Sequence, residues 1–331
     1  MALYIHGIGS IGPYLPVAQA AEAPSHAGTC RLTAIEPAYQ QWIPPMQLRR
    51  MSRIIRMGLG SAIQALQDAG ITQPDRIHLG TAYGCVQDTT LFLAKMLEQD
   101  EEMLTPTAFV QSTHNTIAGQ IALHLKCTGE NMTYVQRGHS FESALFELFH
   151  TLPDHETALT GGADELTNDT FDILQRFESL YPAQDEIARG EGAHLFVVSP
   201  KPKPESYAVC RDLYLGNASD ADQQLNNFLQ RNQLQVNDLD LVLMGCGEEI
   251  KYEQSLVQQW NVLHAVPQVA FKKNCGEYPS SGAFAMAWAS AIIKNSCLVS
   301  NEFPDGLHCR RILICNHFKG EFISYILLEA C

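Results

Sequence analysis

The sequence predicts an α/β protein in which helices are layered against sheets. Segments of strand character alternate with helical segments along the whole chain. The alternation runs twice, once on each side of KPKPES at 201–206, the most linker-like stretch. With 331 residues and 46% hydrophobic content, the chain can bury one large core or two domain-sized ones. We therefore expect an N-terminal half over 1–200 and a C-terminal half over 207–331.

Residues 2–9 read as a strand, and the Pro, Ala and Gly content up to about Trp42 reads as a loop-rich connection. From Arg49 to Ala69, Met51, Ile54, Ile55, Leu59, Ile63 and Leu66 recur at three- and four-residue spacing, and Gly70 stands where a helix C-cap would. Strands are expected at 76–83, 132–136, 156–165 and 190–200, and helices at 88–101, 116–125 and 140–150. Beyond the linker the order is strand 207–213, helix 221–232, strand 239–244, helices 252–263 and 281–293, then strands 311–316 and 321–328.

A formal charge of -14, from 36 acidic and 22 basic residues, disfavours polyanions, so nucleic acid is not an expected partner. No stretch approaches the roughly 18 uninterrupted apolar residues of a spanning helix, and the N-terminus lacks the pattern of a signal peptide. A cytoplasmic protein is the expectation. The ten cysteines are scattered without C-x-x-C pairs, which suits reduced thiols rather than a disulfide scaffold.

The segments LRRMSRIIRMGLGSAIQALQDAGI, TPTAFVQSTHNTIAGQIALHLKCTG, ALTGGADE and GEGAHLFVV, taken in that order, resemble the β-ketoacyl synthases of the thiolase-like superfamily. LRRMSRIIRMGLGSAIQALQDAGI is similar to the family's first long helix, and TPTAFVQSTHNTIAGQIALHLKCTG to the segment leading into its active site. ALTGGADE resembles its central Gly-Gly strand and GEGAHLFVV its Gly-Glu-Gly-Ala strand. The resemblance implies a five-layer αβαβα fold of two related halves, with dimers formed by pairing N-terminal halves. It also implies chemistry from a cysteine at a helix N-terminus, where the dipole and backbone N–H groups favour a thiolate, and from two histidines.

Those three positions have been replaced. GENMTYVQRGHSFESAL follows the family's nucleophile segment without gaps and puts Gly138 at the cysteine position. A shift of one or two places would bring in Gln136, Arg137, His139 or Ser140, none of them a cysteine. Gln136 has a counterpart in chain-length-factor subunits, which carry glutamine in place of the nucleophile, but the ungapped register does not select it. The strand LDLVLM runs into Gly245-Cys246-Gly247-Glu248, with Gly245 at the first histidine position. FKKNCGEYPSSGAFA keeps Lys272 and Gly276 of the second motif and has Glu277 at its histidine. The family's Gly-Phe-Gly-Gly gating loop corresponds to Asn316-His317-Phe318-Lys319-Gly320-Glu321.

Each candidate also has a plain structural reading. Cys246 and Cys275 flank the lost histidines but suit small apolar fillers. Ser140 and His139 are adjacent, which rarely makes a nucleophile and its base, and no G-x-S-x-G elbow is present. Glu277 suits an ion pair with Lys272 or Lys273 better than a general base. Lys272 suits a loop-holding role. Cys309, Cys315 and His317 share parity along a predicted strand, although zinc sites usually draw ligands from turns. Neither a metal nor another cofactor is expected.

The resemblance implies a non-catalytic, chain-length-factor-like subunit that pairs with an active ketosynthase and shapes the acyl tunnel in polyketide, aryl polyene or fatty-acid-type biosynthesis. Tyr134 and Val135 would sit at that interface. An acyl carrier protein, itself acidic in general, would dock mainly on the partner. The alternative is a stand-alone thiolase-fold acyltransferase or thioesterase with a relocated nucleophile at Ser140, Cys246, Cys275 or Glu277.

Overall fold

The computed structural model describes residues 2–14, 31–180, 188–245, 254–298, 303 and 305–331. The first half runs β1 (Leu3–Ile11), α1 (Pro45–Leu48), α2 (Arg53–Asp68), β2 (Arg76–Gly80), α3 (Val86–Glu98), α4 (Pro106–Gln111) and α5 (Thr116–Leu125). It continues with β3 (Asn131–Tyr134), α6 (Ser140–Thr151), β4 (Ala158–Asp164), α7 (Asn168–Leu180) and β5 (Gly192–Ser199). The second half contains β6 (Ala208–Asn217), α8 (Ala221–Arg231), β7 (Leu241–Met244), α9 (Gln254–Gln259), β8 (Gln268–Ala270), α10 (Lys272–Cys275) and α11 (Ser281–Asn295). Two short strands, β9 (Cys297–Leu298) and β10 (Leu307–His308), precede β11 (Arg311–Phe318) and β12 (Phe322–Glu329).

The main sheet has the order β3-β2-β4-β5-β1-β6-β12-β11-β7-β8. Leaving the central β1/β6 seam in either direction, one meets two antiparallel neighbours and then two parallel ones. They are β1 to β5 to β4 to β2 to β3 on one side, and β6 to β12 to β11 to β7 to β8 on the other. The halves thus repeat a topology that no repeat in the sequence announces.

Between the half-sheets lie α6 and α11. From Ser281 to Ile293 every residue of α11 is buried. A helix covered on all sides needs apolar residues all round rather than on one stripe, and its Gly and Ala content lets the neighbours close in. Three hydrophobic clusters mark the layers: one around α6 and α11, one between α2, α5 and the first half-sheet, and one between α8 and the second.

Packing of α2 on β1 depends on two glycines. A Cβ on Gly9 would stand 1.8 Å from the Ser61 carbonyl oxygen, and one on Gly7 would stand 2.2 Å from that of Ala65. With only hydrogen there, the Ser61 hydroxyl donates to the Gly9 carbonyl at 2.7 Å. Gly70 ends the helix at φ +65°, and the N–H of Ile71 turns back to the Leu66 carbonyl.

Some elements depart from expectation. β3 ends at Tyr134, so Val135 lies beyond the strand. The helix expected at 252–263 stops at Gln259 and continues as a 3₁₀ turn over Asn261–Ala265; positions 252 and 253 lie outside the described residues. α7 and β8 were not anticipated. The signal for α7 is Thr167, whose hydroxyl accepts the Thr170 N–H as an N-cap, while β8 is too short for periodicity to register. Among the described residues no helix is long and apolar enough to cross a membrane.

Candidate functional site

The turn between β3 and α6 is built from its own polar groups. Arg137 adopts φ +49°, and Arg137 to His139 form a 3₁₀ turn that leads into α6 at Ser140. The Ser140 hydroxyl donates to the Arg137 carbonyl at 2.8 Å and accepts the Gln136 N–H at 2.9 Å. That hydroxyl therefore serves as a turn clamp. Nε2 of His139 donates to the Ile323 carbonyl at 2.9 Å, and burial pushes the ring's pKa down.

Gly138 is buried, and the volume that a side chain would need there is filled. A Cβ at this position would lie 2.3 Å from Cβ of Phe318 and 2.9 Å from its Cγ. Phe318 itself is 7% exposed. The clash involves the root of the aromatic side chain, so a rotamer change cannot relieve it.

Gly245 donates its N–H to the Cys315 carbonyl at 2.8 Å, and a Cβ there would stand 2.7 Å from Oδ1 of Asn316. Cys246 lies outside the described residues. Glu277 is buried and pairs with Nζ of Lys272 at 2.6 Å, which also donates to the His317 carbonyl. Glu277 is further fixed by its backbone, which bonds to Ala188 and Gly190. His317 is pushed down to about 3 by burial, with the Lys272 charge adding to the effect, so its ring is neutral at physiological pH.

Gly138, Gly245 and Glu277, the three positions singled out by the resemblance, thus meet one short segment although the sequence separates them widely. Gly138 abuts Phe318, Gly245 abuts Asn316, and Glu277 reaches His317 through Lys272. Asn316, His317 and Phe318 are consecutive at the end of β11. Their segment closes into a hairpin with β12: Phe318 pairs with Phe322, and Lys319 and Gly320 take positive φ in the connection.

Other candidate groups have structural surroundings. The thiol of Cys275 donates to the Gly276 carbonyl at 3.3 Å, and burial raises its pKa well above the ordinary range, opposing a thiolate. Cys315 and His317 lie on β11, but Cys309 precedes that strand, so the shared parity expected of the three does not hold. Among the described residues no group of three His, Cys, Asp or Glu could hold a metal ion.

Sequence reasoning missed Glu142. It lies on α6, four residues after Gly138, and is fully buried. Its Oε1 accepts from the Ser324 hydroxyl at 3.0 Å and from Nδ2 of Asn316 at 3.3 Å. The one available signal was an acidic residue inside the apolar run FESALFELF.

A second surface lies at the open edge of β3, which pairs only with β2 among the described residues. Met132, Val135, Leu123 and Phe146 are exposed on β3 or on segments next to it. The Tyr134 hydroxyl donates to Nδ1 of buried His78 at 3.3 Å, and Nε2 of His78 meets Glu130 at 3.0 Å.

The layering and strand order are those of the thiolase-like fold. Residues 22–183 match the family model described as beta-ketoacyl synthase, N-terminal domain. The chain is similar in structure to the ishigamide ketosynthase/chain length factor, at 17% identity and a TM-score of 0.75, over 100% of this chain and 99% of that one. A beta-ketoacyl synthase from Burkholderia phymatum STM815 gives 16% identity and a TM-score of 0.76, over 99% of each chain. The apo AntDE:AntF structure, a type II PKS acyl-carrier protein in complex with its ketosynthase bound to the hexaketide, gives 13% identity and a TM-score of 0.75, over 100% of this chain and 99% of that one. No curated protein matches the chain in sequence.

Proposed function

We propose that this protein is a non-catalytic, chain-length-factor-like subunit that pairs with an active β-ketoacyl-ACP synthase and helps shape the acyl tunnel. The observation that carries this reading is the Gly138–Phe318 contact. The turn lacks a thiol, and the space that the Cβ of any side chain at 138 would need is taken by the side chain of Phe318. Glycine at 245 and an ion-paired glutamate at 277 support the same conclusion. The stand-alone acyltransferase or thioesterase is less well supported, because the Ser140 hydroxyl clamps its own turn and burial opposes a Cys275 thiolate.

The partner would add its own edge strand beside β3, satisfying an open row of backbone groups and covering Met132 and Val135. Tyr134, tied to His78, would stand in that seam. The net charge of -14 leaves docking of an acidic acyl carrier protein mainly to the partner. The products in view are polyketides, aryl polyenes or fatty-acid-type chains, made in the cytoplasm. The absence of disulfides among the described cysteines is consistent with that compartment.

The test is co-expression with a ketosynthase encoded beside this protein, then size exclusion and intact mass after acyl loading. A heterodimer that carries the acyl group on the partner alone is expected. A stoichiometric adduct on the 136–140 peptide of this chain would overturn the reading.

A further inference from the structure

We propose that Glu142 is carried uncharged in the folded protein and acts as a pH-sensitive latch, holding the β11–β12 hairpin and its Phe318 plug against α6. The geometry is that of a clamp. Asn316 and Ser324 are directly opposed in the β11–β12 ladder, and both donate to the same oxygen, Oε1 of Glu142. One carboxyl group thus bridges both strands of the hairpin to the helix that begins beside Gly138. Gly282 makes room for it, since a Cβ there would stand 2.4 Å from Oε1. The other oxygen, Oε2, is buried without a hydrogen-bond partner. An ionised carboxylate would leave that oxygen charged and desolvated, whereas a carboxylic acid would not.

Few charges oppose this assignment. Burial pushes Glu142 up from 4.5 to about 7 against its hydrogen bonds and the field of Lys272, and Lys272 is itself paired with Glu277. The buried run of α11 contains no ionisable side chain. On β11, His317 is buried and neutral. β4 contributes Asp164, which accepts from the Thr81 hydroxyl and the N–H groups of Ala82 and Tyr83. β2 and β3 contribute His78 and Tyr134, bonded to each other, with Glu130 on His78. β6 contributes Arg211 and Asp212, paired with Glu329 and Arg231. The preceding turn contributes Arg137 and His139, the latter on the Ile323 carbonyl, and α6 itself carries Glu147 and His150.

The sign follows from the raised value. A carboxyl group with a folded pKa above its unfolded one contributes full stability below about 4.5, and the contribution is lost as pH rises through about 7. The latch is therefore tightest in mild acid, loosens as pH rises from about 4.5, and has lost this contribution above about 7. This inference does not depend on pairing with a ketosynthase.

The test is hydrogen exchange of the full-length protein, read as protection factors for amides 316–324 and for α2, at about pH 5.5 and about pH 8. Protection of the hairpin should fall by up to about tenfold per pH unit across the window, with α2 changing less. Glu142→Gln keeps the shape and an acceptor for both donors but cannot ionise, and should abolish the fall. A hairpin that loses protection equally in the Gln variant, or no faster than α2 in the wild type, would overturn the latch. Should Glu142→Gln not fold, Ser324→Ala tests the same point. It removes a hydrogen bond that favours the carboxylate and should move the midpoint to higher pH; an unchanged midpoint would equally defeat the proposal.

Discussion

At Gly138 the absence of a side chain and the position of Phe318 are sterically one feature, so a side chain cannot be added there alone without strain. Gly138→Cys would place a Cβ into Phe318, and overpacking of this kind costs about 1–3 kcal/mol. In a Phe318→Gly background, which removes the Cβ 2.3 Å away as well as the ring, the same cysteine should cost far less, so a double-mutant cycle by denaturant unfolding should give a coupling of similar size. Additive effects would show that the Phe318 side chain does not own that volume. A neighbouring prediction concerns Lys272, which neutralises the buried Glu277. Lys272→Met should destabilise by about 3 kcal/mol because a buried carboxylate is left unpaired, and adding Glu277→Gln should restore most of it. Failure of the second change to restore stability would mean that the cost is packing rather than charge.

At the scale of elements, the edge of β3, which among the described residues pairs only with β2, is where the proposed partner would sit. Tyr134→Asp and Val135→Asp each place a carboxylate in or beside the proposed seam, where burial without a counter-charge costs several kcal/mol, on the order of 3. One or both variants should lose the ketosynthase in a pull-down while remaining folded by circular dichroism. A comparable change at Lys201 or Lys203 in the exposed connection should leave binding intact. Unchanged affinity in both folded variants would require another interface. The sequence anticipated this strand but extended it to 136; the structure ends it at Tyr134, so the two positions have different surroundings. Tyr134 is half-buried against His78, and Val135 is exposed past the strand end. Tyr134→Asp should therefore also weaken the subunit itself, and Val135→Asp is the cleaner probe.

For the molecule as a whole, buried titratable groups oppose one another and set a pH optimum. His6 is lowered to about 4, and His194 and His317 to about 3, chiefly by burial. Bases with depressed folded values contribute stability above their ordinary value of 6.5, and lose it as pH falls through that value toward the folded ones. Glu142 and Glu165, both raised to about 7 by burial, act the other way and lose their contribution as pH rises through 7. Thermal unfolding should therefore be most resistant near pH 6 to 7 and fall on both sides, roughly as linkage requires. A melting temperature that climbs steadily to about pH 9 would contradict the burial of these carboxyl groups.

The sequence by itself determined the alternation of strands and helices, the long amphipathic helix ending at Gly70, the resemblance to ketosynthases, and the absence of a cysteine at 138. These are local or ordered along the chain, so periodicity and motif order report them. Tertiary structure alone decided that Phe318 occupies the space beside Gly138, that Lys272 rather than Lys273 holds Glu277, and that Glu142 ties α6 to both strands of a hairpin. It alone revealed that the halves share one topology. Glu142 and Ser324 are 182 positions apart, and the packing that brings such residues together leaves no periodic trace in the chain.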